Sequence, residues 1–217
     1  MSKVPNFETI KNSIPSEILL VAVTKNKTTD IISELYNLGH RDFGENRVQE
    51  LSKKYQELPK DIKWHMIGHL QTNKVKYIAS FVHLIHSVHS ISLLEEINKR
   101  ALQNNRTIDC LLEVHIAKEH TKSGFSEEEL LDFFRHFSID TYNNIRICGL
   151  MGMATYTSDF QVIEQEFFKL KNLFSFYKDN YFADIEYFKH LSMGMSNDYI
   201  YAIKHGATIV RLGSILF

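Results

Sequence analysis

Apolar residues along this chain fall into short runs of alternating period, each followed by a stretch with helical spacing. Residues 18–25 (ILLVAVTK) open the series, with Leu19, Val21, Val23 and Lys25 on one face of a predicted strand. A helix is expected near 28–38, where Ile31, Ile32, Leu35 and Leu38 recur at helical spacing and Gly39 provides a stop. The alternation then repeats. A short strand at 42–44 precedes a helix at 46–57, strand 63–68 precedes a short helix at 73–79, and strand 82–88 precedes helix 91–104 with Ser90 as N-cap. Strand 108–116 leads to helix 127–137, which opens on a Ser126/Glu129 capping box. Strand 145–154 leads to a long helix at 159–178, strand 187–194 to helix 198–205, and strand 207–213 closes the series.

Eight strands with helices between them predict parallel strands joined by right-handed crossovers. That count favours a closed (β/α)8 TIM barrel over an open doubly wound sheet, with residues 1–217 as a single barrel domain. No helix follows the eighth strand, and a helix at roughly residues 4–13, carrying Phe7 and Ile10, is expected to cover that gap.

Composition narrows the function classes. The 217 residues are 44% hydrophobic and carry a formal net charge of −1, so neither nucleic acid nor an acidic membrane surface is indicated as a partner. No run of eighteen apolar residues occurs, and the N-terminal stretch has no signal-like apolar segment. Cys110 and Cys148 sit in apolar strands without CxxC spacing and read as buried free thiols in a reducing compartment. A cytoplasmic location follows as the expectation.

In barrels of this kind reactive groups gather at the C-terminal ends of the strands. Lys25 ends the first. An amine closing an apolar row is costly to bury unless it has a partner or does chemistry such as imine formation; the simpler alternative is a lysine that opens the next loop into water. SMGMSND (192–198) supplies one glycine and two serines before a helix whose N-cap is expected at Ser196 or Asn197, and RLGS (211–214) adds a second Gly-Ser turn. Each alone is ordinary turn chemistry. Together, in a barrel with a lysine on strand one, they suggest a seat for a phosphate ester. Phosphate seat and aldehyde-reactive lysine together point to pyridoxal 5′-phosphate (PLP). Arg211 shares an inward face with Ile209 and Ala207; it either faces the ring nitrogen or pairs with Glu45 or Glu113.

Other signals are weaker. His65 and His69 flank a strand end, which argues against zinc, so no metal is expected. His83, His86 and His89 are expected to alternate faces without converging. Neither a GxGxxG nor a Walker sequence is present.

The segments VAVTK (21–25), FGENRVQE (43–50), WHMIGHLQTNK (64–74), KSGF (122–125), GLMGMA (149–154), LSMGMSND (191–198) and VRLGS (210–214) occur in an order that resembles the pyridoxal phosphate homeostasis proteins. These are stand-alone relatives of the alanine racemase N-terminal barrel. The resemblance implies an alanine racemase N-terminal domain-like barrel, monomeric or weakly associating, carrying PLP as a Schiff base on Lys25. It implies Arg211 at the ring nitrogen, Ser192, Met195, Ser196, Gly213 and Ser214 at the phosphate, and Asn46 near the cofactor. Three departures stand out: His115 where Asn is typical, His89 where Asp is typical, and an ending at SILF.

The resulting expectation is a PLP-homeostasis protein without a dedicated reaction or catalytic residue, its partners being PLP and apo PLP-dependent enzymes. The alternatives are a small PLP enzyme of racemase or lyase type, using Tyr156, Tyr199 or a rim histidine as second base, and a cofactor-free class I aldolase acting through Lys25.

Overall fold

The computed structural model describes residues 4–118, 123–138 and 141–217. Eight parallel strands close into a barrel in chain order: β1 (Leu19–Val23), β2 (Asp42–Glu45), β3 (Lys63–Met66), β4 (Leu84–Val88), β5 (Ile108–Val114), β6 (Ile145–Gly152), β7 (His190–Ser192) and β8 (Ile209–Leu212). Closure is made by β1 against β8, with Val21 opposite Arg211.

The crossovers are α2 (Thr29–Asn37), α3 (Val48–Glu57), a 3-10 helix (Thr72–Tyr77), α4 (Ile91–Gln103), α5 (Glu127–Arg135), α6 (Phe160–Tyr181) and α7 (Tyr199–Lys204). They follow α1 (Phe7–Ser13), which buries Phe7. The expected caps form. The Ser90 hydroxyl accepts from the Leu93 N–H, and Ser126 and Glu129 complete a reciprocal capping box. The expected start of the last helix does not: its N-cap is Asp198, and Ser196 lies in the preceding turn.

Strand alternation sorts side chains into two compartments. Outward residues such as Leu20, Ala22, Phe43, Trp64, Leu191 and Val210 join the helices in one continuous apolar shell. Inward residues Val21, Leu84, Leu111, Cys148, Met151 and Ile209 form a smaller cluster in the lumen. The rest of the lumen is polar, because Asp42, His65, His86, Glu113, Ser192 and Arg211 are all buried. Both cysteines are buried and free, and burial pushes the Cys148 thiol up to about 12. No described helix is long and apolar enough to cross a membrane.

Candidate functional site

The strand ends form a cavity of about 850 Å³. Val23 borders it at the end of β1 and Lys25 just after, Asn46 after β2 and Ile67 after β3. Met153–Ser158 follow β6, Met195–Asp198 follow β7, Arg211, Gly213 and Ser214 lie in and after β8, and Phe160 and Ile163 of α6 complete the wall. Seven of the eight residues expected from sequence therefore meet here: Lys25, Asn46, Met195, Ser196, Arg211, Gly213 and Ser214. Ser192 does not line the cavity. It is fully buried beneath it, and its hydroxyl oxygen accepts a 2.6 Å hydrogen bond from Arg211 Nη1.

Lys25 stands two residues beyond β1 and is exposed, as the simpler alternative of a loop-opening lysine has it. Its loop is held from α3. Lys54 Nζ donates to the Thr24 carbonyl at 2.8 Å and to Glu45 Oε1 at 2.7 Å. The Thr24 hydroxyl donates to the same carboxylate oxygen at 2.5 Å. On the other side of Lys25, the Asn26 N–H donates to Glu50 Oε2 at 3.0 Å, and Asn26 takes φ +60° in the turn. Burial raises the Glu45 carboxyl above its ordinary range, with Lys54 and Thr24 only partly offsetting it. The Asn26 N–H, followed by Lys54, holds Glu50 below its own. FGENRVQE thus contributes Glu45, at the end of β2, and Glu50, in the first turn of α3, to holding the Lys25 loop, with Lys54 one helical turn further on.

The two Gly-Ser turns are joined directly, since the Gly213 N–H donates to Ser196 Oγ at 3.2 Å. That bond takes the Ser196 side chain away from the cap position. The Met195 N–H donates to Asp198 Oδ1 at 2.5 Å. Gly194, at φ +93°, would place a Cβ 2.6 Å from the Ala202 Cβ, so α7 packs this close only behind glycine. Among the described residues, the N–H groups of Ser196, Asn197 and Ser214 have no protein partner.

Arg211 is inward and 4% exposed, as its strand face predicts. Neither expected carboxylate pairs with it: Glu45 is tied to Lys54, and Glu113 accepts from the Ser123 hydroxyl at 2.9 Å. Instead Nη1 donates to Ser192 and Nη2 to the Gly152 carbonyl at 3.2 Å. Burial lowers the guanidinium to about 10, with Asp198 and Glu113 opposing, so it stays charged near neutrality.

The cavity fits PLP on its own chemistry. One wall carries an amine, another a cluster of N–H and hydroxyl groups, and the floor a guanidinium; these complement an aldehyde, an anionic ester and a ring nitrogen. Asn46 Oδ1 is buried without a partner, an acceptor that a donor in the cavity can satisfy.

Tyr156 lines the mouth and is 85% exposed, whereas Tyr199 is buried outside the lining. The two unusual histidines also lie outside it. His89 Nε2 is 3.3 Å from the Leu70 carbonyl oxygen and its ring stacks on His69 at 4.4 Å, while His115 borders a separate small pocket. Part of the expected HTKSG strand end, residues 120–122, lies outside the described residues.

Sequence reading missed the pairing of His65 with His86 in the lumen, their rings 5.2 Å apart; His83 is exposed, as its opposite face predicts, and only its edge meets His65, at 5.4 Å. Strand parity carries the signal for the pair: with Trp64 and Met66 outward, His65 must point in, and His86 shares a face with Leu84. Donor atoms of Asp42, His65 and His83 lie within 4.8 Å of one another. Both nitrogens of His65 already lie within hydrogen-bonding distance of partners, Asp42 and His86, so this is a hydrogen-bonded cluster and not an open set of metal ligands.

Comparison with known proteins agrees with this geometry. The family model for the alanine racemase N-terminal domain matches residues 4–217. The pyridoxal phosphate homeostasis protein of Aquifex aeolicus is 42% identical over 199 residues, covering 91% of this chain and 85% of that protein. Its Helicobacter pylori counterpart is 39% identical over 202 residues, covering 92% and 87%. The structure of PipY from Synechococcus elongatus with PLP bound superposes at a TM-score of 0.87 and 31% identity, covering 97% of both chains.

Proposed function

This chain belongs to the pyridoxal phosphate homeostasis proteins, within the alanine racemase N-terminal domain family, and from that premise we propose that it binds PLP on Lys25 as a carrier without a dedicated reaction. The observation that carries this reading is the meeting of Lys25, Arg211 and the two Gly-Ser turns on one cavity. When bound, the cofactor supplies an aldehyde that condenses with an amine and a ring able to delocalise charge. Lys25 Nζ would hold the aldehyde carbon, and the Lys54 and Glu50 contacts fix the loop that presents it. Ser196, Gly213 and Ser214, with the free N–H groups around them, hold the phosphate. Asn46 offers its unsatisfied oxygen to a donor on the cofactor.

Arg211 separates carrier from catalyst. A guanidinium donates and cannot accept, so where it meets the ring nitrogen it leaves that nitrogen without a proton and weakens the ring as an electron sink. Lys25 and Tyr156 are both exposed at the cavity mouth, which suits a monomeric carrier that exchanges PLP with apo enzymes. Two buried, unpaired thiols suit a reducing, cytoplasmic setting.

A visible absorption band in the PLP-loaded protein, lost in Lys25→Ala, is the expected result. A colourless protein after incubation with PLP, or an undiminished band in the variant, would refute the covalent site. Tyr156 favours a second reading, an amino-acid racemase or lyase with the exposed phenol as second base. Amino-acid α-proton exchange into heavy water at enzyme-like rates, abolished in Tyr156→Phe, would replace the carrier assignment.

A further inference from the structure

The lumen carries an unbroken polar line from the barrel floor to the cavity. Asp42 Oδ1 lies 3.1 Å from His65 Nε2, His65 Nδ1 lies 2.9 Å from His86 Nε2, and His86 Nδ1 lies 2.9 Å from Ser192 Oγ. Arg211 Nη1 donates to that same oxygen at 2.6 Å. The five residues come from five strands; His65, His86 and Ser192 have no exposed surface.

The hydrogens can be assigned by elimination. Arg211 only donates, so Ser192 Oγ accepts at that end and has one hydrogen left to give. Burial pushes the Asp42 carboxyl up, but the hydrogen bond from His65, with the Lys63 ammonium nearby, holds it below its ordinary range. Asp42 is therefore an acceptor, and His65 carries its hydrogen on Nε2. Neutral His65 must then accept at Nδ1, so His86 carries its hydrogen on Nε2 and accepts at Nδ1 from the Ser192 hydroxyl. Burial holds His86 well below its ordinary value, keeping it neutral. Every donor points the same way, from the guanidinium at the cavity to the carboxylate at the floor. A charged His65 would reverse the His86 contact and leave the Ser192 hydrogen with no acceptor in this line, which buried groups avoid.

We propose that Asp42, His65 and His86 are positioning residues for the cavity: they fix the Ser192 hydroxyl as acceptor for Arg211 and so hold the guanidinium in its cavity-facing pose. None of the three lines the cavity. The consequence for PLP rests on the proposed function above; the relay itself does not. Packing alone would require only that these side chains fill the lumen. The relay also requires that the charge at Asp42 set a tautomer two residues away.

Asp42→Asn keeps the shape and lets the side chain donate. In the PLP-free protein, nitrogen-15 NMR of the imidazole rings is expected to show His86 shifting from the Nε2–H to the Nδ1–H tautomer, with a moved Arg211 guanidinium resonance. In PLP titrations the same variant should weaken binding about three- to tenfold, the span of one net hydrogen bond. In a Ser192→Ala background, where the line is cut, the Asn substitution should change affinity less than about twofold. An unchanged His86 tautomer, or an equal loss of affinity in both backgrounds, overturns the proposal. If Asp42→Asn does not fold, two substitutions at His86 decide the matter. Gln, which accepts and donates like the imidazole, should keep the Arg211 resonance in place, and Leu should move it; identical spectra refute the relay. Failure of the parent protein to bind PLP would defeat the function assigned above while leaving both NMR readouts to judge the relay.

Discussion

Lys54→Met tests how the loop presenting Lys25 is held. The Lys54 ammonium is 2.7 Å from Glu45 Oε1, in a pair whose side chains are 8% and 0% exposed, and it also donates to the Thr24 carbonyl. Methionine fills the volume but leaves the carboxylate with the Thr24 hydroxyl as its remaining donor; Glu45 Oε2 has no partner even before the change. Removing one member of a buried pair costs about 3–5 kcal/mol. At this chain length each kcal/mol moves Tm by about 2–4 °C, so a fall of about 6–20 °C is expected. The double variant Glu45→Gln/Lys54→Met, which removes the stranded charge and keeps an acceptor for Thr24, should recover at least half of the loss.

The pH dependence carries a definite sign. Burial already raises the Glu45 carboxyl, and without the ammonium it rises further. The folded variant then retains a proton that the unfolded chain releases near its ordinary value of 4.5. Stability from that proton is fully present below this pH and is lost as pH rises through the folded value. Urea denaturation of variant and parent at about pH 5 and about pH 8 should therefore give the smaller difference at the lower pH. A loss under about 1 kcal/mol at both pH values would refute a charge-driven role for the pair and reduce Lys54 to a solvated surface cation.

Three further outcomes are expected. Ser196→Ala should weaken PLP retention with the covalent link to Lys25 still forming; an unchanged dissociation constant would remove Ser196 from the phosphate seat. Gly68→Ala would put a Cβ 2.7 Å from the Asn46 Cα, so it should destabilise by about 1–3 kcal/mol and weaken PLP binding through Asn46, as thermal melts and PLP titration can establish. His40, lowered to about 4 by burial despite its Asp42 contacts, stays neutral as the unfolded chain takes up its proton. Its contribution is present above about pH 6.5 and lost as pH falls toward about 4, so His40→Gln should flatten the stability profile in that window.

The barrel was legible because each strand is short, alternating and bounded by helical spacing, so eight βα units could be counted without knowing a contact. The cavity wall was legible for the same reason, since parity and strand order bring Lys25, Arg211 and the two Gly-Ser turns to one rim. Other features depend on partners far away in sequence. Parity puts Lys25 on the inward face, but the chain leaves β1 two residues earlier, so the side chain is exposed at the rim. Ser192 has the composition of a phosphate ligand, yet its inward register places it under Arg211. Lys54 looks like any helical lysine until Glu45 and the Thr24 carbonyl converge on it.

The polar lumen is the feature least explained by folding. Barrels of this class ordinarily fill their interior with layers of branched aliphatic side chains. Here Val21, Leu84, Leu111 and Ile209, with Cys148 and Met151, supply only part of that filling, and two histidines, a serine, an aspartate, a glutamate and an arginine take the rest. Desolvating each polar group costs free energy that the hydrogen bonds at best offset, and an apolar replacement of equal volume is commonly as stable or more so. Stability alone therefore gives no reason for an arginine in the lumen. A guanidinium that meets the cavity on one side must be held on the other by buried acceptors, and the Gly152 carbonyl and Ser192 hydroxyl are those acceptors. Once Ser192 accepts, its own hydrogen needs an acceptor, then His86 needs one, then His65, until a carboxylate near the floor ends the sequence. On this view the whole line down to Asp42 follows from placing one fixed cation beneath the cavity. An Arg211→Leu variant that is no less stable than the parent, yet no longer retains PLP, is the outcome that would separate the demands of the site from those of the fold.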